Sequence, residues 1–389
     1  MSLKSIEKIK QRLKERPAEL AAERNSGKKV VGWQGYNLPE EIIYALGLIP
    51  VRIAVGGDDR LVEIGARYIS TKNCVFVRET IGLFAENKDP YIQNMDVLAF
   101  DATCLQTFRT AELLQYYFNK EVFILGVPRN FYWEEALVYF EKELAYLVSQ
   151  LEEYTGIKLT KDALSASIAL YDEIRAALTV IYDYQAAANP VITWLEAYDT
   201  IQAGYYLDRA EYAALLKDMV SELQEAAPKP AIDQNDDEAR IFISGSVIPP
   251  GDRKLIGIIE SLGGRIVGDD IWTGITPNLN VNINEPTVSA LARAYLNRTP
   301  HGALPYLDLA SDRRLANLKS QIKKFRAQGV IYHTLRYCDP YTFKAKETKD
   351  VLADEGIPLL EIHTEYAGSD YEAIRTRVEA FVEMLKSRI

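Results

Sequence analysis

The sequence predicts an α/β protein built as two parallel-sheet lobes joined by a helical connector. Three observations predict it. Short apolar runs alternate with helical stretches near both ends, the middle is helical almost throughout, and turn-rich breaks separate the parts. Short strands separated by helices mark βαβ units, which build parallel sheets.

The first lobe opens on the run from Lys28 to Tyr36, followed by a helical pattern starting at Leu38-Pro39-Glu40-Glu41 and ending near Gly47. Pro39 suits a first helical turn, where its missing N–H is no loss. Further apolar runs follow at Ile49 to Val55, Asp96 to Phe100 and Glu121 to Val127. From about Trp133 to Ala227 the period is helical, broken at Gly156, Asn189-Pro190 and Gly204. Pro228-Lys229-Pro230 and the acidic stretch Asp233 to Glu238 mark an exit by composition. The second lobe then reads as a strand Arg240 to Ser244, a helix Gly251 to Leu262 and a strand Arg265 to Gly268. It continues with a strand Gly329 to Leu335, a helix Thr342 to Glu355, a strand Ile357 to His363 and a last helix from Asp370 to about Lys386. The expected units are residues 1–132, an α/β lobe with a preceding helix, 133–232, the connector, and 233–389, with both lobes of the Rossmann or flavodoxin type.

Composition narrows the function. The 55 acidic and 45 basic residues give a net charge of −10, which repels a phosphate backbone and argues against nucleic acid. No apolar stretch approaches the ~18 residues needed to cross a bilayer. Met1-Ser2-Leu3-Lys4 lacks the apolar core of a signal peptide. A cytoplasmic protein is therefore expected. Its three cysteines cannot all pair, and a reducing compartment disfavours pairing anyway.

Position makes those cysteines candidates for a joint site. Cys104 follows the strand Asp96 to Phe100 and precedes a helical stretch, and Cys338 follows Gly329 to Leu335 in the same way. Open α/β sheets place their ligand crevices at such carboxyl ends of strands. Cys74 lies just before the helical stretch Phe76 to Glu86, so all three are expected at helix N-termini, where free N–H groups favour a thiolate. A single free cysteine is more often a small buried hydrophobe, but none of these falls in a strand interior or in the connector. Three thiolates suit zinc or an iron–sulfur cluster, and without a C-x-x-C pair the spacing does not choose between them.

Other residues carry weaker signals. Gly245-Ser246 to Asp252, between a strand and a helix, could cradle a phosphate or simply form a turn. Arg52, Arg78 and Arg109 are either phosphate partners or solvated surface groups. His333 and His363 fall in apolar strands and are expected to be core residues, while His301 completes the histidines.

Several segments together resemble a known family. Gly35-Tyr36-Asn37-Leu38-Pro39-Glu40-Glu41 through Pro50-Val51, Gly245 to Asp252, Gly263 to Asp270, and Gly329-Val330-Ile331-Tyr332 through Cys338-Asp339-Pro340 are similar to the 2-hydroxyacyl-CoA dehydratase and benzoyl-CoA reductase subunits. The resemblance covers nearly the whole chain. It implies one [4Fe-4S] cluster held by Cys74, Cys104 and Cys338, with one iron lacking a cysteine. It also implies elimination of water from an (R)-2-hydroxyacyl-CoA by a one-electron, ketyl-radical route, with ring reduction or electron relay as the alternatives. The implied partners are an ATP-dependent iron–sulfur activator, the acyl-CoA substrate, and a homologous second subunit or a second copy of this chain. Glu41 is the implied proton acceptor, against the plainer reading of Glu40 and Glu41 as solvated first-turn carboxylates. Two departures stand out. Leu105 follows Cys104 where many relatives have aspartate, and the segment Trp33 to Asn37 before Pro39 lacks the serine or threonine found in some substrate-binding subunits. They imply an altered substrate or a relaying subunit.

Overall fold

A computed structural model describes residues 3–53, 56–130, 133–187, 189–227, 238–304 and 312–388. After helix α1 (Lys4–Asn25), the first lobe alternates β1 (Val30–Gln34), α2 (Glu40–Ala45), β2 (Ile49–Arg52), α3 (Asp59–Gly65), α4 (Val75–Glu86), α5 (Pro90–Asn94), β3 (Val97–Asp101), α6 (Leu105–Phe118) and β4 (Val122–Leu125). Its four parallel strands lie in the order β2-β1-β3-β4. The connector is α7 (Glu134–Thr155), α8 (Lys161–Asp183), α9 (Trp194–Ala203) and α10 (Arg209–Ala226). Its expected exit at residues 228–237 lies outside the described residues, as do Ala54 and Val55 at the end of the second apolar run.

The second lobe repeats the plan with β5 (Ala239–Gly245), α11 (Lys254–Ser261), β6 (Gly264–Asp269), α12 (Val288–Asn297), α13 (Arg313–Lys324), β7 (Gly329–Leu335), α14 (Asp339–Asp354), β8 (Leu359–Thr364) and α15 (Tyr371–Lys386). Its parallel strands run β6-β5-β7-β8, the same relative order as the first sheet. In both sheets the connections reverse direction beside the first strand, which opens a crevice between the carboxyl ends of the first and third strands. The two α/β lobes expected from the sequence are thus present. Helix α14 starts at Asp339, earlier than the expected Thr342, because Pro340 fits its first turn.

Helices α3 and α5 of the first lobe and α12 and α13 of the second escaped the sequence reading. Helix α13 is rich in lysine and arginine, but Leu315, Leu318 and Ile322 recur at helical spacing and are buried in the second lobe's core. Helix α12 crosses over. Its Leu291, Ala292, Tyr295 and Leu296 pack with Val31 and Trp33 of the first lobe and with Leu144 of the connector. The connector is divided in the same way, α7 packing with that first-lobe core and α9 and α10 with the second.

Asp269, at the end of β6, ties connector to sheet. Its carboxylate accepts from the Tyr182 hydroxyl at 2.6 Å, the Trp194 indole N–H at 2.9 Å and the Ile271 amide at 3.1 Å. Burial nevertheless pushes this carboxyl up to about 7, against those three donors. A raised folded value means that ionisation costs stability. The cost is absent below the ordinary aspartate pKa of about 4 and grows as pH rises from there. It reaches its full size above the folded value of about 7. Asp269→Asn should therefore gain stability relative to wild type between pH 5 and pH 8, which chemical denaturation at the two pH values would measure.

Candidate functional site

Each cysteine is the residue immediately before a helix: Cys74 before α4, Cys104 before α6 and Cys338 before α14. The position follows from local sequence, since Cys104 and Cys338 each stand three residues beyond the third strand of their lobe. Unpaired first-turn amides face each sulfur. Contact with Cys338 pulls the Cys74 thiol below its ordinary pKa against burial, aided by the amides of Val77 and Phe76. The same contact, with burial, pushes Cys338 well up. Burial also raises Cys104, opposed by the amides of Gln106 and Thr107 and by Arg129.

The three thiols line one cavity of about 50 Å³, shared with Gly35, Tyr36, Asp101, Trp272 and His301. Asp101 fixes its floor. The carboxylate accepts from the amides of Tyr36 at 2.6 Å, Asn37, and Thr103 at 3.1 Å, joining the loops after β1 and β3. A Cβ on Gly35 would stand 2.4 Å from that carboxylate, so only glycine fits there. His301 was not singled out by its sequence context, a Thr-Pro-His-Gly turn. Its ring is enclosed by Tyr36, Trp272 and Tyr341 at 5.3, 5.5 and 5.4 Å between centroids. Nδ1 accepts from the Ala303 amide at 3.0 Å, which leaves the ring proton on Nε2. Burial and the nearby cations depress the imidazole to about 3, so it is neutral at any pH the protein meets.

The remaining candidates fall elsewhere. Glu40 and Glu41 are buried, not solvated. Glu41 pairs with Arg175 at 2.7 Å and accepts from the Tyr295 hydroxyl at 2.7 Å, and it is absent from the lining of the thiol cavity. Glu40 is held by Arg209 and the Tyr171 hydroxyl. The loop from Gly245 to Asp252 is not an open row of free amides, because several of them are already used. Gly245 N–H donates to Asp270, Ser246 to the His333 carbonyl and Gly251 to the Gly56 carbonyl. Arg109 is exposed beside Glu112, whereas Arg78 is buried and donates to the Asn73 carbonyl. His333 is a core residue as expected, bonded to Thr364 at 2.7 Å. His363 is not, because β8 is an edge strand and its outer face leaves this ring exposed beside Glu361.

Two crevices that face each other across matched sheets, three cysteine-capped helices and an aromatic-walled cavity define a thiol centre between α/β lobes. The chain belongs to the family described as 2-hydroxyglutaryl-CoA dehydratase, D-component, which it matches over residues 36–385. It is 27% identical to one of the subunits of benzoyl-CoA reductase from Thauera aromatica, over 94% of this chain and 92% of that one. It is 25% identical to the (R)-phenyllactyl-CoA dehydratase beta subunit of Clostridium sporogenes, over 92% of each chain. The beta subunit of (R)-2-hydroxyglutaryl-CoA dehydratase from Acidaminococcus fermentans is 22% identical, over 94% of this chain and 95% of that one. Among the described residues no helix is long and apolar enough to cross a membrane.

Proposed function

We propose that this chain holds one [4Fe-4S] cluster on Cys74, Cys104 and Cys338 and serves as a subunit of a 2-hydroxyacyl-CoA dehydratase. The carrying observation is that three thiols at helix N-termini, two from one lobe and one from the other, open on a single cavity. The donor set fits the group. Three thiols on one cavity would each take one iron of a [4Fe-4S] cluster and leave the fourth without a cysteine. When bound, the cluster supplies low-potential electrons and one iron free to act as a Lewis acid toward a thioester or hydroxyl oxygen.

The chain's own residues prepare the cavity for such a ligand. Tyr36, Trp272 and Tyr341 wall it and exclude water. His301, fixed as the Nε2–H tautomer and neutral, donates a hydrogen bond to an oxygen in the cavity without giving up a proton. Asp101 holds the Gly35–Asn37 loop in place. Beside the thiols the surface is apolar: Leu105, next to Cys104, is 69% exposed and Phe343, on α14, is 75% exposed. Such a rim suits a homologous second subunit or a second copy of this chain, with an ATP-dependent iron–sulfur activator docking to deliver the electron.

The similar identities to a dehydratase subunit and to a reductase subunit keep ring reduction as the second reading. Turnover separates them. The cluster-loaded chain, assembled with its partner and activator without oxygen, should release many product molecules per electron supplied. One product per electron pair would favour the reductase. Failure of a cluster-loaded chain to bind any acyl-CoA would mark it as an electron relay.

A further inference from the structure

A second cavity lies behind Gly35 and Tyr36, and its charge is unbalanced. It measures about 80 Å³ and is lined by four arginines, Arg52, Arg175, Arg209 and Arg298, all largely buried. Arg175 and Arg209 are paired with Glu41 and Glu40. Among the described residues Arg52 and Arg298 have no carboxylate partner. Arg52 donates to the Gly35 carbonyl at 3.0 Å, and Arg298 donates to the carbonyls of Pro277, at 2.8 Å, and Tyr36. Each keeps a buried Nε–H that meets no acceptor among the described residues.

Aromatic faces hold both guanidinium groups in place. Arg52 stacks over Tyr205 at 4.3 Å, Trp33 at 4.8 Å and Trp272 at 5.2 Å, while Arg298 lies 4.3 Å from both Tyr36 and Tyr295. Stacking orients a cation but does not neutralise it, and a buried cation without a counter-ion is costly. Two preorganised forks with spare donors are what a carboxylate or phosphate recognises. The cavity has room for a group of a few heavy atoms, since one water needs only about 10–15 Å³ by this measure.

We propose that Arg52 and Arg298 form a binding site for a small oxyanion, a carboxylate or a phosphate, in the cavity behind the Gly35–Tyr36 loop. The site does not depend on what the thiols hold. Gly35 and Tyr36 line both cavities, so a ligand anchored by its oxyanion extends toward the cysteines. That extension, unlike the site itself, rests on the thioester reading above.

The test is calorimetric titration and thermal denaturation of the purified full chain with sodium succinate, sodium phosphate and, at matched ionic strength, sodium chloride. A saturable rise in melting temperature with succinate alone supports the site and assigns a carboxylate; with phosphate alone it supports the site and assigns a phosphate. Arg298→Gln should abolish the response and Arg109→Gln, at an exposed residue, should keep it. Should Arg298→Gln not fold, Arg52→Lys keeps the charge but loses the fork and should bind about tenfold more weakly, the worth of one charge-assisted hydrogen bond. No saturable effect beyond chloride in the wild type, or full binding by either cavity variant, would overturn the proposal.

Discussion

Cys338→Ser, prepared and reconstituted without oxygen, should lose most of its iron and sulfide and the EPR signal of the reduced cluster. Cys338 is the single cysteine given by the second lobe, so its loss leaves the cavity two sulfurs, both from the first lobe. Losing a group that merely supports a metal ligand costs about 10–100-fold in affinity, and losing the ligand itself should cost at least that. Cys74→Ser and Cys104→Ser should behave likewise. The cluster-free proteins should match wild type in stability to within about 1 kcal/mol, because serine nearly conserves the shape. If all three variants kept a wild-type cluster, the thiol centre would not be its site.

Gly82→Val should be the most damaging single change to the fold near the site. Helices α3 and α4 cross at two glycines, with no side chain between their backbones. A Cβ on Gly82 would lie 1.9 Å from the Leu61 carbonyl oxygen, and one on Gly65 would lie 1.8 Å from that of Arg78. Both obstacles are backbone, so the helices must separate. Overpacking of this kind costs about 1–3 kcal/mol and more where backbone must move, and valine belongs at the upper end. Cys74 caps α4, so the shift also moves a thiol, and cluster content should fall with stability. Gly257→Ala on α11, where an added Cβ meets nothing within 4 Å, should instead stabilise by about 0.5–1 kcal/mol through helix propensity. Denaturant curves of the two variants give the comparison.

The parallel sheets and the places of the cysteines were legible because both are local matters. A short apolar run followed by a turn and a helical period identifies a strand's carboxyl end, and Cys104 and Cys338 stand there. The rest depends on contacts distant in sequence. Arg52 looks like any arginine beside a strand until Tyr205, Trp33 and Trp272 are seen to enclose it. His301 gains its fixed tautomer only from the turn it occupies and its isolation only from three rings far away in the chain. Glu40 and Glu41 resembled solvated first-turn carboxylates because their partners, Arg209 and Arg175, lie more than a hundred residues away. Helix α12 carries apolar residues at helical spacing, yet nothing local says that they cover the other lobe.

The repeated strand order gives the cavity an approximate internal duplication. Each lobe sends the residue three past its third strand to the cavity, as Cys104 and as Cys338. Each also sends a residue from the segment after its second strand, but here the copies diverge: the first lobe delivers Cys74 and the second delivers Trp272. A cysteine at Trp272 would have given the cavity four sulfurs; it has three and an indole, so the incomplete ligand set proposed for the cluster coincides with a difference between the two lobes.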